Sequence, residues 1–316
     1  MTTSEKNQAK AKAHLTWRAT THVGAAPAIN DQFVAMNDAA LCLRSFMPKE
    51  SAVMGRLHSS GIFVIGSFSI WMAANSSNMF GAWLMLSFLV VPIVFSFLLF
   101  RYLRIIRRQS DFWFNRVTQQ VYWHDGKQLY VGDWKGVQAG PRSVTAPTGG
   151  GLSTSFYLEM YLPWCNAPEG TQWPEWVLRL ESNDVIDPRR EYIVQVWEYI
   201  RTFMAEGPMH LPPPQEEKWW WWQPPRRIYL SPKQALLRYL PWRTGVPGEE
   251  TGKQWWMLPF WALTFPYNMF LMLCWWATCT VFKVRPAAPP MEAFQGTTGQ
   301  LVEADMAAKG MWAWKV

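Results

Sequence analysis

The residues with reactive side chains are few in this chain and do not form a catalytic pattern. The five histidines, His14, His22, His58, His124 and His210, are scattered. The four cysteines, Cys42, Cys165, Cys274 and Cys279, form no CxxC pair, and two lie in an apolar stretch, which argues against a zinc site or a disulfide framework. No HExxH, GxSxG, P-loop or GxGxxG pattern occurs. Carboxylates such as Asp125, Asp133 and Glu159 lack a neighbouring histidine, nucleophile or metal pattern, so we expect no enzyme and no cofactor. The side chains whose type and spacing do carry chemistry are cationic and aromatic. One group is Arg101, Arg104, Arg107 and Arg108; the other is Trp219, Trp220, Trp221 and Trp222, with Lys218 before them and Arg226 and Arg227 after. Guanidinium groups pair with anionic headgroups, and an indole settles where an apolar ring and a polar N–H are both satisfied. These residues are therefore expected at a membrane–water interface. A nucleic-acid patch and a cation–π platform are the competing assignments.

The surrounding elements decide between them. Residues Gly61 to Phe100 carry no charge, about twice the 20 residues that one crossing needs. Asn75-Ser76-Ser77-Asn78 interrupts them with a polar turn, giving a hairpin of helices near 58–75 and 80–100. Arg44, Lys49 and Arg56 precede it and the four arginines follow it, while the turn is uncharged. Positive residues stay on the cytoplasmic side, which places both hairpin ends there. A cationic cluster abutting a membrane span needs no nucleic acid to explain it, and the net charge of +7 is absorbed in the same way.

A second charge-free block runs from Trp255 to Phe282, interrupted by Pro259 and Pro266. Its length fits one kinked crossing, which would put the tail from Lys283 to Val316 outside the cytoplasm; a re-entrant course would keep the tail inside. Tryptophan, at 22 of 316 residues, is concentrated at the ends of this block and in the linker, as in aromatic belts.

Residues 1–57 are read as a cytosolic segment with an amphipathic helix from Asp31 to Phe46, ended by Pro48. From Asp111 the apolar pattern changes to period two. The runs at 111–116, 117–123, 128–133, 155–161 and 176–181 read as strands, with Asp125-Gly126 as a turn. Thr145 to Thr154 is expected as a mobile loop and Pro163 to Pro174 as a second loop. Asp187-Pro188 opens a helix with Ile193, Val196, Trp197, Ile200, Phe203 and Met204 on its apolar face. Residues 109–210 are thus expected as a small α+β domain, a bent sheet plugged by one helix in the manner of pleckstrin-homology-like domains. Residues 211–254 are a Pro/Trp-rich linker. Within it, Ser231-Pro232 starts an interfacial helix with Leu236, Leu237 and Leu240 apolar and Lys233 and Arg238 basic.

Three features together resemble a family of proteobacterial inner-membrane proteins of unknown function. They are the membrane hairpin with its basic exit, the run Phe114 to Tyr122 leading to Asp133-Trp134, and Trp197-Glu198-Tyr199-Ile200-Arg201-Thr202-Phe203-Met204-Ala205-Glu206-Gly207-Pro208. The resemblance covers roughly residues 55–215. It implies a non-catalytic protein associated with type VI secretion, as an immunity or accessory protein, and carries no site residues. From the residues themselves, Glu198 and Arg201 are expected to pair on an exposed helix face and Arg116 to meet a carboxylate.

The resulting expectation is a bacterial inner-membrane interaction protein: a transmembrane hairpin, a third C-terminal membrane helix and a cytoplasmic α+β domain. Its partners would be the bilayer and another protein, such as a toxin or secretion component, without nucleic acid; self-association is compatible with it. The alternative is a membrane-anchored headgroup sensor or assembly adaptor.

Overall fold

The computed structural model describes residues 15–29, 32–148, 151–171, 175–181, 190–214, 228, 230–241, 256, 258–297 and 299–303. The chain divides into two compact units. The first comprises Met1–Phe46, Ser110–Glu217 and Ala288–Val316; the second comprises Met47–Gln109 and Lys218–Ala287.

The first unit holds two antiparallel sheets and a helix. Strands β1 (Phe33–Met36), β2 (Ala40–Leu43), β3 (Phe112–Asn115), β4 (Gln120–His124) and β5 (Leu129–Asp133) lie in one sheet in the order β5-β4-β3-β2-β1, and β9 (Val302–Glu303) closes the β1 edge. Strands β6 (Gln138–Thr148), β7 (Gly151–Pro163) and β8 (Glu175–Glu181) form the other. Their inward side chains, among them Phe33, Leu41, Phe114, Leu158, Met160 and Leu178, share one core with α4 (Arg190–Glu206). The apolar stripe on α4 is as the spacing predicts: Ile193, Val196, Trp197, Ile200, Phe203 and Met204 are all buried. Trp197 packs near Trp134 at 5.5 Å and Trp17 at 5.7 Å, and its indole N–H donates to the Thr21 carbonyl at 3.1 Å.

Several local expectations change. Residues Asp31 to Phe46 were expected as an amphipathic helix; the described part forms the β1–β2 hairpin. Asn37 makes the turn, its side-chain oxygen accepting from the Ala39 and Ala40 N–H groups. An Asx turn of this kind competes with helix. Both strands are mostly buried, so neither shows the period-two alternation that marks a half-buried strand.

Thr145 to Thr154, expected as a mobile loop, is strand pairing on both sides of residues 149 and 150: Thr145 stands opposite Thr154 and Thr148 opposite Gly151. The prolines do not break β6, because it is an edge strand. Ala139 exchanges both backbone hydrogen bonds with Trp17, so odd-numbered residues of β6 point away from β7. Pro141 and Pro147 share that parity, and each lacks an N–H only where β7 does not need one. They also leave the edge poorly suited to accept a further strand.

Glu198 and Arg201 pair as expected at 2.6 Å, but both are buried rather than exposed. The residues from Leu15 to Ile29 run past them, and the Glu198 carboxylate also accepts the Val23 N–H at 2.5 Å. Arg116 reaches the Asp38 backbone carbonyl at 3.2 Å, not a carboxylate. Its guanidinium fills the space where a β-carbon on Gly207 would stand, and Gly207 has φ +88°, so glycine suits that position twice over.

Tyr199 on α4 is fully buried, and its hydroxyl has no hydrogen-bond partner among the described residues. Burial alone drives the phenol well above its ordinary ionisation range. A buried hydroxyl whose hydrogen bond is not made is a net cost. Tyr199→Phe is therefore expected to stabilise the protein by about 1–2 kcal/mol, read as a rise in chemical-denaturation midpoint.

The described part of the C-terminal tail folds into the first unit: Ala35 pairs with Glu303 and Met36 with Val302. A 3-10 turn at Met291–Phe294 covers the outer face of the larger sheet, with Ala293 and Phe294 packed on Trp113, Tyr122 and their neighbours. Asn115, fully buried, holds this turn. Its amide donates to the Ala293 and Gln295 carbonyls at 3.0 and 2.8 Å, and its oxygen accepts from the Val117 and Thr118 N–H groups.

Candidate membrane-embedded surface

The second unit is helical. Helix α1 (Phe46–Ala74) leads to α2 (Met79–Ser87) and α3 (Val90–Arg108). The turn falls where Asn75 to Asn78 placed it. The Asn75 amide donates back to the Trp71 carbonyl at 2.7 Å, and Asn78 caps α2 by accepting the Gly81 N–H at 2.6 Å. Between α2 and α3 the backbone tightens, with Leu89 and Val91 donating to carbonyls three residues back. Pro92 explains the break, since its ring excludes the Phe88 carbonyl and offers it no N–H. Both arms exceed the expected bounds of 58–75 and 80–100. Arg56, expected to precede the first helix, lies buried inside it, and all four arginines continue α3.

Glu50–Ala74 and Met79–Arg108 are each long and apolar enough to cross a membrane. At 25 and 30 residues they measure about 37 and 45 Å, against a hydrocarbon thickness of about 30 Å. Their apolar side chains face outward: Phe63, Phe68, Trp71, Phe80, Trp83, Ile93 and Phe97 are all exposed, and Phe97 is 79% exposed. In water such a surface would be an extreme liability; in hydrocarbon it is the expected arrangement. Ser87 donates to the carbonyl three residues back and Ser96 to the one four residues back, so these hydroxyls need no water.

Helix α6 (Leu258–Val281) follows the same habit, with Thr264, Thr278 and Thr280 each bonded to the preceding turn and Pro266 accommodated inside the helix. It packs on α1 through Trp275, whose ring lies on Gly55: a β-carbon there would come 2.4 Å from it. Trp275 is fully buried and donates to the Ile228 carbonyl at 2.8 Å. Gly61 likewise receives the Phe95 ring of α3. Small residues that admit a large ring are how helices approach closely without a hydrophobic driving force. Gly55→Leu should force Trp275 out of its seat. The expected cost is about 1–3 kcal/mol, measured as a lower melting temperature of the detergent-solubilised protein.

Arg101, Arg104, Arg107 and Arg108 lie together in the last two turns of α3, all exposed, and Arg107 also donates to the Phe282 carbonyl. Trp219, Trp220, Trp221, Trp222, Arg226 and Arg227 lie outside the described residues. The short helix α5 (Pro232–Tyr239) starts with a capping box between Ser231 and Gln234, but its faces differ from expectation. Ala235, Arg238 and Tyr239 are buried, and Leu236 is exposed. The burial follows from packing: Leu230, Ala235 and Tyr239 meet Trp261 and Met272 of α6, which the helix's own periodicity does not reveal. Sequence spacing also missed Gly55, Gly61 and Asn115, whose roles depend on residues far along the chain.

Among the described residues no group of His, Cys, Asp or Glu is arranged to hold a metal ion. Burial and the nearby Asp111 push the Cys42 thiol well above its ordinary ionisation range, which makes it a packing residue with little thiolate character. No family model, curated protein or solved structure matches this chain.

Proposed function

We propose that this chain is a non-catalytic interaction protein of a bacterial inner membrane, anchored by the α1–α3 hairpin and carrying its α+β unit on the cytoplasmic side. The observation that supports this best is where the hairpin leaves the soluble unit. Strands β2 and β3 are hydrogen-bonded neighbours, with Leu43 opposite Phe112, and the entire apolar excursion is inserted between them. Sheet pairing thereby pins both ends of the hairpin, and two crossings return the chain to the side it left. The exposed arginines at the end of α3 suit the anionic, cytoplasmic leaflet.

The same logic applies to the tail. A hydrogen-bonded sheet has no place in hydrocarbon as an open edge, so β9 and β1 lie on one side of the bilayer. The chain between Pro214 and Ala288 therefore leaves from and returns to that side, and α6 enters the membrane region without a net crossing. The resemblance to type VI secretion-associated proteins narrows the partner to a toxin or a secretion component, with immunity or accessory duty as the consequence.

The test has two separate arms: alkaline extraction of one membrane sample, and purification of the tagged full chain from a second, gently solubilised sample that has not been extracted. Retention in the membrane pellet and co-purification of a defined protein are the expected results. Release of the chain at alkaline pH, or recovery of lipid alone, would overturn the proposal.

A further inference from the structure

Two basic segments of the second unit come together beside its exposed apolar surface. On α3, Phe100, Arg104 and Arg107 recur at i, i+4 and i+7 and share one face. The chain leaving α6 runs along it. The Phe100 and Phe282 rings meet edge-on at 5.3 Å, Arg107 donates to the Phe282 carbonyl, and Ala287 donates to the Ile106 carbonyl at 3.2 Å. Lys283 and Arg285 lie in this stretch and are exposed, as are Arg104 and Arg107. In each segment exposed apolar residues, Phe97 and Phe100 or Val281 and Phe282, give way to cations, and the ring contact sets the two transitions at one level. Among the described residues, these four cations make no ion pair, and the only carboxylate of this unit is Glu50.

Lys283 carries a second sign. Helix α6 ends in a Schellman turn: Lys283 donates to the Thr280 carbonyl at 3.1 Å and Val284 to the Cys279 carbonyl at 2.8 Å, with Lys283 at φ +49°. Glycine is the usual residue there, because a β-carbon is crowded in the left-handed region. A cation that only answers the helix dipole could stand in the last turn at helical φ, without that crowding. Lys283 instead takes the strained position, next to the carbonyl that Arg107 holds.

We infer that Arg104, Arg107, Lys283 and Arg285 bind the phosphate of an anionic phospholipid whose acyl chains lie on the exposed phenylalanines, and that this lipid ties the exit of α6 to α3. The inference rests on the proposed membrane anchoring and adds a defined lipid site to it. Like charges gathered without a carboxylate repel one another, Arg104 and Arg107 at i, i+3 most directly, and a bound anion removes that cost. Arginine grips phosphate through paired N–H donors, and lysine serves as a point charge. The apolar surface beside the cations selects the occupant. Nucleic acid or an acidic protein would answer the charges and leave the phenylalanines bare; a phospholipid answers both.

The experiment uses the full chain, purified in neutral detergent and freed of lipid. It is titrated with phosphatidylglycerol, with phosphatidylcholine, and with glycerophosphoglycerol, the same anionic headgroup without acyl chains. Melting temperature and native mass spectrometry are the readouts. Phosphatidylglycerol alone should raise the melting temperature by several degrees and remain as a discrete bound copy. Lys283→Gly combined with Arg285→Gln should weaken its binding by about tenfold, from the usual contribution of a cation at an anionic surface. Because glycine relieves the strain at 283, the lipid-free melting temperature of this variant should not fall. Arg104→Gln should weaken binding several-fold. Lys127→Gln with Lys135→Gln, which removes the same charge from the first unit, should leave binding unchanged. Equal stabilisation by phosphatidylcholine, binding of glycerophosphoglycerol alone, no bound lipid, or equal loss in the two double variants would each overturn the inference. A chain that stays in the alkaline-extracted membrane but is indifferent to phosphatidylglycerol keeps the anchoring proposal and loses this site; release at alkaline pH removes the anchoring itself.

Discussion

Trp197→Ala is expected to cost about 3–5 kcal/mol, the range for emptying a large buried aromatic site. The ring is fully buried, sits between Trp17 and Trp134, and ties α4 to the N-terminal segment through Thr21. Removing it opens a cavity and orphans the Thr21 carbonyl together. Against a typical stability of 5–15 kcal/mol, the loss is large enough to shift the denaturation midpoint of the solubilised full chain plainly. An unchanged midpoint would mean that Trp197 does not sit in the core.

Asn115→Ala is expected to cost about 2–4 kcal/mol and to free the tail. One fully buried side chain satisfies two backbone N–H groups and two backbone carbonyls. Each buried backbone group left unmade costs about 1–3 kcal/mol, partly recovered where water enters. Since two of the four belong to residues 293 and 295, the specific sign is proteolysis. Cleavage between residues 284 and 303 should accelerate while the β3–β8 region stays protected. Uniform acceleration over the whole unit would show instead that Asn115 holds the sheet and not the tail.

The contrast between these two residues shows what the sequence carries. Trp197 was legible because its partners on α4 recur every three or four positions, and local periodicity reports a buried helix face. The hairpin was legible for a similar reason: charge is absent over a continuous stretch, and Asn75 to Asn78 breaks it with side chains that cap. Asn115 looked like an ordinary strand-end polar residue, since its partners lie some 180 positions away. The fold of the first unit is discontinuous for the same reason. The expected domain at 109–210 holds β3–β8 and α4, yet its core also takes Phe33, Met36, Leu41 and Leu43 from before the hairpin and Val302 from after α6. Strands buried on both faces and interrupted by a long apolar hairpin give no contiguous pattern to read. Arg142 and Arg179, which both bond to Glu159, show the same limit, because cross-strand register, not spacing along one strand, brings them together.

Membrane topology tests the account most directly. Alkaline phosphatase, active only outside the cytoplasm, would be inserted at Ser77 or fused after Gly207 or Val316, with a fluorescent protein that matures in the cytoplasm fused at the same points. The expected pattern is phosphatase activity at Ser77 only, and fluorescence after both Gly207 and Val316. Active phosphatase after Val316 would contradict the shared location of the tail and β1; activity after Gly207 would invert the hairpin.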